Sequence, residues 1–165
     1  MDMEIGFDWK GIRVVVKFNP YQPIYLGTLK ALDVKNERPF RAIIQLGTKG
    51  LREDNLKFLI SVLFHELGHV DRFLEIIREE GYGRFLDIVW DIQYGNRLVK
   101  LTEEREANVR AIKFLRYANL LDEETFLFLA ISLSTYWAES YEMKERLIRL
   151  LAYLSRSPYY EVTEE

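Results

Sequence analysis

Cysteine is absent from the 165 residues. That absence excludes disulfides, thiolate nucleophiles, cysteine-held zinc and iron–sulfur clusters. Histidine occurs only twice, as His65 and His69, so any imidazole chemistry or imidazole-held metal must use one or both. No run approaches the roughly 18–20 apolar residues of a membrane-spanning helix. The longest uncharged stretch, Thr125 to Ala138, has the length of a buried core helix. Neither sign of charge dominates: Lys and Arg total 23, Asp and Glu 26, and the net charge is −3. The excess of positive charge that marks nucleic-acid binding is missing. The opening MDMEIGFDWKGIRVVVKF is acidic and lacks the basic start and apolar stretch of a secretory signal. A cytoplasmic protein with neither nucleic acid nor membrane as partner is the expectation. Few Gln, no Cys and 30% charged residues also suit a heat-adapted chain.

What is present is a core. With 48% hydrophobic and 14% aromatic residues the chain can bury enough surface to fold. Its length suits one domain, expected over residues 1–157, with 158–165 a flexible acidic tail. The first third reads as β. Strands are expected around Met3–Phe7 and Ile12–Phe18, joined by a Trp9-Lys10-Gly11 turn. Pro20 and Pro23 suggest a loop over 19–35 carrying a short edge strand near Ile24–Leu29. Phe40 to Leu46 reads as a further strand closed by Gly47.

From about Asp54 the apolar period changes to that of a helix, through Leu56, Leu59, Ile60, Leu63, Leu67, Val70, Phe73 and Leu74. Asp54 or Asn55 is the expected N-cap and Gly81 the C-terminal stop. A weaker helix over 85–99 is interrupted by Gly95. Another is expected from Thr102, read as a cap before an acidic first turn. Helices over 123–138 and 141–155 complete an α+β domain, a small mostly antiparallel N-terminal sheet followed by helices.

Inside the long helix residues 65–69 read His-Glu-Leu-Gly-His. An i, i+4 spacing stacks both imidazoles on one face, where they can share a metal. Glu66 lies about 100° round the helix from His65, placed to reach a water on that metal without ligating it. Zinc lowers the pKa of bound water from about 15.7 toward about 7, so a nearby carboxylate can take its proton. Chance places two histidines and a glutamate in this pattern in about one chain in a thousand, which favours the metal over a coincidence.

A catalytic zinc takes three protein ligands and keeps a fourth position open. With no third His and no Cys, the remaining ligand must be a carboxylate. Glu75 would need a helix break near position 72, where Arg72 stands, so it is expected to be solvated. The stretch Glu103-Glu104-Arg105-Glu106-Ala107-Asn108 is the better source. On a helix Glu104, Ala107, Asn108, Ala111 and Leu115 share a face, and the two alanines permit close approach. Glu104 would then complete the zinc sphere and Asn108 would hold an imidazole N–H, with Glu103 and Glu106 as alternative ligands.

His65-Glu66-x-x-His69 with Glu104-x-x-Ala107-Asn108 resembles the gluzincin metallopeptidases, in particular the ImmA/IrrE-like group and the small archaeal minigluzincins. The resemblance spans about residues 55–115. It implies a zincin-like fold, Zn2+ held by His65, His69 and Glu104, Glu66 as general base and acid, and Asn108 behind the ligands. It also implies hydrolysis of a peptide bond in a protein or peptide, or a latent or non-catalytic zinc module on the same scaffold. Several of these families have Asp where Asn108 stands. Substrate would add as a strand to an exposed sheet edge, for which Phe40–Leu46 is the expected site. An oxyanion donor would come from the main chain or from Arg105, Tyr94, Tyr136 or Tyr141. Phe126, Phe128, Tyr136 and Trp137 read more simply as helix packing.

Overall fold

A computed structural model describes residues 3–159. Its sheet has four strands, β1 (Glu4–Trp9), β2 (Ile12–Pro23), β3 (Gly27–Lys35) and β4 (Arg38–Lys49). Alternation drives their burial: Ile12, Val14 and Val16 on β2 and Ala42, Ile44 and Leu46 on β4 all point into the core. Lys10 and Gly11 both have positive φ, the conformation of the tight turn that joins β1 to β2, and Asn36 and Glu37 repeat it between β3 and β4.

Strand order is β1-β2-β4-β3. The outer pairings β1/β2 and β3/β4 are antiparallel, whereas β2 and β4 run parallel in the centre, with Val14 opposite Ala42 and Val16 opposite Ile44. The sheet is therefore mixed. The expected edge strand Phe40–Leu46 is a central one, because β3 folds back outside it. Three other expectations also change. The prolines do not end β2; the register shifts between Asn19 and Pro23 and pairing resumes at Pro23 opposite Lys49. β3 runs on to Lys35. Gly47 lies inside β4 rather than closing it, since a Cβ there would stand 2.1 Å from the Pro23 carbonyl oxygen.

After a short 3-10 turn over Glu53–Asn55 come α1 (Leu56–Glu80), α2 (Tyr82–Gln93), α3 (Arg97–Tyr117), α4 (Glu123–Trp137) and α5 (Tyr141–Leu154). Asn55 precedes α1 as expected, though its side chain serves the turn before it, accepting from the Arg52 N–H and donating to the Gly50 carbonyl. Gly81, at φ 91°, ends the helix. α3 starts five residues before Thr102. Gly95, at φ 87°, turns the chain, and Asn96 caps the new helix by accepting from the Val99 N–H. Thr102 sits within it, its hydroxyl donating to the Leu98 carbonyl.

α1 is the central element, with Phe58, Val62 and Val70 packed in one core with Ile44 and Leu46 of the sheet, Ala111 and Leu115 of α3 and Phe128 of α4. A smaller cluster of Phe73, Ile76, Phe85 and Ile88 binds α2 to the end of α1. Among the described residues no helix is long and apolar enough to cross a membrane. Of the expected tail, Pro158 lies against Gly50 and the Tyr159 hydroxyl donates to Glu145; residues 160–165 lie outside the described residues.

Candidate metal centre

The two histidines project from one face of α1 with ring centroids 4.8 Å apart. α3 crosses this face at backbone contact. A Cβ on Gly68 would stand 2.5 Å from the Ala107 carbonyl oxygen, so only glycine admits α3 so near. Ala107 and Ala111, both fully buried, supply the other side of the contact. The close crossing brings Glu104 over both rings. Its Oε2 lies 2.8 Å from His65 Nε2 and 3.3 Å from His69 Nε2. His65, His69 and Glu104 each offer a ligand atom within 4.8 Å of the others, a group that could hold a metal ion.

Asn108, one turn after Glu104, decides the chemistry of His65. Its Nδ2 donates to the Leu129 carbonyl at 2.9 Å, which turns Oδ1 toward His65 Nδ1 at 2.6 Å. An amide oxygen only accepts, so Nδ1 carries a proton and the Nε2 lone pair of a neutral ring faces the Glu104 carboxylate. Two lone pairs 2.8 Å apart repel unless positive charge lies between them, whether a proton or a cation. The same geometry shifts the titrations. Burial pushes Glu104 up, but hydrogen bonds from His65 and His69 hold it far below the usual carboxylate range. Burial pushes His65 down, and the Glu104 hydrogen bond with the Glu66 and Glu104 charges raises it above its ordinary value. The donor set, two imidazoles and one carboxylate with a supporting amide, fits a divalent zinc ion.

The other acidic residues of the stretch go elsewhere. Glu103 is buried against the Arg72 guanidinium at 3.3 Å. Glu106 binds Arg110 at 2.6 Å, and Arg110 also holds Asp71 at 3.0 Å and pairs with Glu75. Glu75 is thus ion-paired rather than simply solvated, on a helix that continues to Glu80. These contacts tie α1 to α3 on both flanks of the histidines.

Glu66 is buried beside the histidines and accepts from the Leu29 backbone N–H of β3. Burial raises its carboxyl above the ordinary value, and the two histidines pull it back only in part. Two cavities meet at Glu66, Gly27 and Tyr136, one of about 250 Å³ toward α4 and α5 and one of about 500 Å³ toward α2. Of the four side chains considered as oxyanion donors, Tyr136 alone lines these cavities; Tyr94, Tyr141 and Arg105 are largely exposed. Burial, reinforced by Glu104 and Glu66, raises the Tyr136 hydroxyl far above its ordinary value, so it stays protonated. The aromatic set is therefore not uniform. Phe128 packs on Phe58, with ring centroids 5.2 Å apart, while Phe126 and Trp137 are half exposed.

No protein-family model matches the chain. No curated protein and no solved structure matches it either.

The feature of the site least visible in the sequence is the role of β3. Gly27, Thr28 and Leu29 border the cavities because β3, and not Phe40–Leu46, is the outer strand beside α1. The edge strand expected near Ile24–Leu29 is β3, found at Gly27–Lys35, but nothing in the sequence marks it, and not Phe40–Leu46, as the border of the site.

Proposed function

We propose that the chain is a zinc-dependent metallopeptidase of gluzincin type that hydrolyses peptide bonds in a protein or peptide substrate. The observation that carries this reading is the convergence of His65 Nε2 and His69 Nε2 on one oxygen of Glu104, with Asn108 fixing which nitrogen of His65 is bare. His65, His69 and Glu104 would hold the zinc. When bound, zinc acidifies a water molecule and polarises a carbonyl. Glu66, whose carboxyl burial raises above its ordinary value, takes the proton of the attacking water and delivers it to the leaving amine. Tyr136 donates its hydroxyl hydrogen to the oxygen that becomes negative. The peptide adds to the outer edge of β3, where backbone groups are not used by β4. A cytoplasmic location belongs to the same reading, with neither nucleic acid nor membrane as partner.

The test is metal analysis beside peptide hydrolysis. Purified protein should carry about one zinc per chain, lost in His65→Ala. Glu66→Gln should keep the metal and lose hydrolysis by about 10²–10⁴-fold, the contribution of a positioned acid–base group. A protein that takes up no zinc at micromolar concentration contradicts the proposal. Zinc uptake with a function indifferent to Glu66→Gln identifies a non-catalytic zinc module instead.

A further inference from the structure

The two cavities that flank Glu66 differ in their charges. The larger holds Lys100 against the carboxylates of Glu66, Glu103 and Glu104, so negative groups outnumber its one ammonium. The smaller has walls that include Val62, Phe128, Leu129, Ile148 and Leu151, and besides the buried His65 and Glu66 its one charged side chain is the exposed Lys144. Lys144 makes no hydrogen bond or ion pair through its side chain among the described residues, although neighbours on the same helix do: Glu142 pairs with Arg146 and Glu145 with Arg149. The Ser132 hydroxyl, also on this cavity, has no hydrogen-bond partner among the described residues either. At about 250 Å³ the cavity falls just below the roughly 300–1,000 Å³ of small-molecule sites, a size suited to one side chain.

An unpaired ammonium and an unused hydroxyl on the rim of a largely apolar cavity complement a carboxylate on a short aliphatic stem. The acidic groups nearby offer no competition. Glu104 is taken up by both imidazoles, and neither it nor Glu66 pairs with Lys144 among the described residues. We infer that this cavity is a substrate subsite for a carboxylate adjoining the scissile bond, with Lys144 supplying the countercharge and Ser132 a hydrogen bond. The inference rests on the peptidase reading for its scissile bond, but the preference it describes is one of binding. Two sources share this chemistry, a glutamate or aspartate side chain and the terminal carboxylate of a peptide.

Binding separates the inference from hydrolysis. Glu66→Gln protein loaded with zinc is titrated by calorimetry with peptides that carry Glu, Gln or Lys at one scanned position, each with a free and an amidated C-terminus. At one position the Glu peptide should bind about tenfold more tightly than its Gln counterpart, a rim-charge effect that weakens with salt. Lys144→Gln should erase the preference, Lys144→Arg should keep it, and Lys144→Glu should turn it toward the Lys peptide. Lys144 is exposed, so these variants should melt with the parent, and a thermal scan checks this. A preference that survives amidation assigns the subsite to a side chain; one that needs the free terminus assigns it to the end of a peptide. Equal affinity for Glu and Gln peptides, a preference unmoved by the Lys144 variants, or no binding of any peptide each overturns the inference. Charge-selective binding without hydrolysis by the zinc-loaded wild type leaves the subsite standing and removes the peptidase reading.

Discussion

At the scale of single residues, Asn108 is the side chain whose loss separates support from ligation. It touches no metal position, yet it sets the ring of His65 through one hydrogen bond and anchors itself to Leu129 by another. Outer partners of this kind typically contribute 10–100-fold to metal affinity. Asn108→Ala should therefore weaken zinc binding by about that factor, measured by competition with a chelator of known affinity. Asn108→Asp should restore it or strengthen it, because a carboxylate raises the basicity of the ring. If Asn108→Ala binds zinc as tightly as wild type, the assignment of the Nδ1 proton fails.

The titrating groups predict how the metal-free protein responds to pH. His65 is raised in the folded state, so its contribution is complete below its ordinary pKa of about 6.5 and is lost as pH rises through the folded value. Glu66 is also raised, and its contribution is lost in the same direction, beginning near its ordinary 4.3. Glu104 is lowered, so its contribution is present above about 4.3 and is lost as pH falls toward the folded value. Melting temperatures in chelator should decline as pH rises past about 6.5 through the folded value of His65, and Glu66→Gln should flatten the part of the decline that begins near 4.3. A wild-type profile level on the alkaline side of about pH 6.5 would contradict the His65 shift.

Among the elements, the crossing of α1 and α3 carries the site, and Gly68 is its test. Two effects of Gly68→Ala oppose one another. Alanine is better than glycine in a helix interior by about 1 kcal/mol. The added Cβ, however, would meet the Ala107 carbonyl at 2.5 Å, and that atom is backbone in a neighbouring helix. Overpacking against a rigid neighbour costs about 1–3 kcal/mol, so steric conflict wins. Chemical denaturation should show a net loss of stability, and zinc affinity should fall as Glu104 is moved off the histidines. A stabilised variant with unchanged zinc affinity would show that the helices can part freely.

The elements also show what patterns along a chain can encode. α1 is legible because its apolar residues recur at helical spacing and Gly81 stops it, and α4 because Thr125 to Ala138 is a long uncharged run; Asp122 and Ser140, which cap α4 and α5, emerge from the structure. The start of α3 is not, because its first turn reads Arg-Leu-Val-Lys with Leu98 exposed, and no core-facing period leads in from Asn96. The length of β2 is obscured for a different reason. Its prolines fall beyond Asn19, where the strand shifts register and needs fewer ladder hydrogen bonds.

At the scale of the whole molecule, Arg110 holds the helical layer together. Largely buried, it joins Asp71 and Glu75 of α1 to Glu106 of α3, and Lys10 at the β1–β2 turn also pairs with Asp71. Arg110→Met keeps much of the apolar stem but strands three carboxylates in partly covered positions. Charged hydrogen bonds contribute about 1.5–3 kcal/mol each at most, and some water can reach these acids, so a total loss of about 2–3 kcal/mol is expected in urea denaturation. A change under 0.5 kcal/mol, the range of an ordinary surface substitution, would show that the network adds nothing to the packing of α1 on α3.

Taken alone, the amino-acid sequence determined the kinds of donor. For a metal held by two histidines four apart on one helix, the lack of cysteine would leave only a carboxylate as third ligand, and helical geometry puts Glu104, Ala107 and Asn108 on one face. Those are consequences of composition and local period, which need no knowledge of the rest of the chain. The tertiary structure decided which carboxylate meets the rings and which strand borders them. Glu103 and Glu106 lie on the same helix as Glu104, and only the crossing at Gly68 and Ala107, with Arg72 and Arg110 drawing the other two away, separates them. β3 rather than β4 is the outer strand because β4 pairs in parallel with the distant β2, a long-range choice that an alternating pattern leaves open.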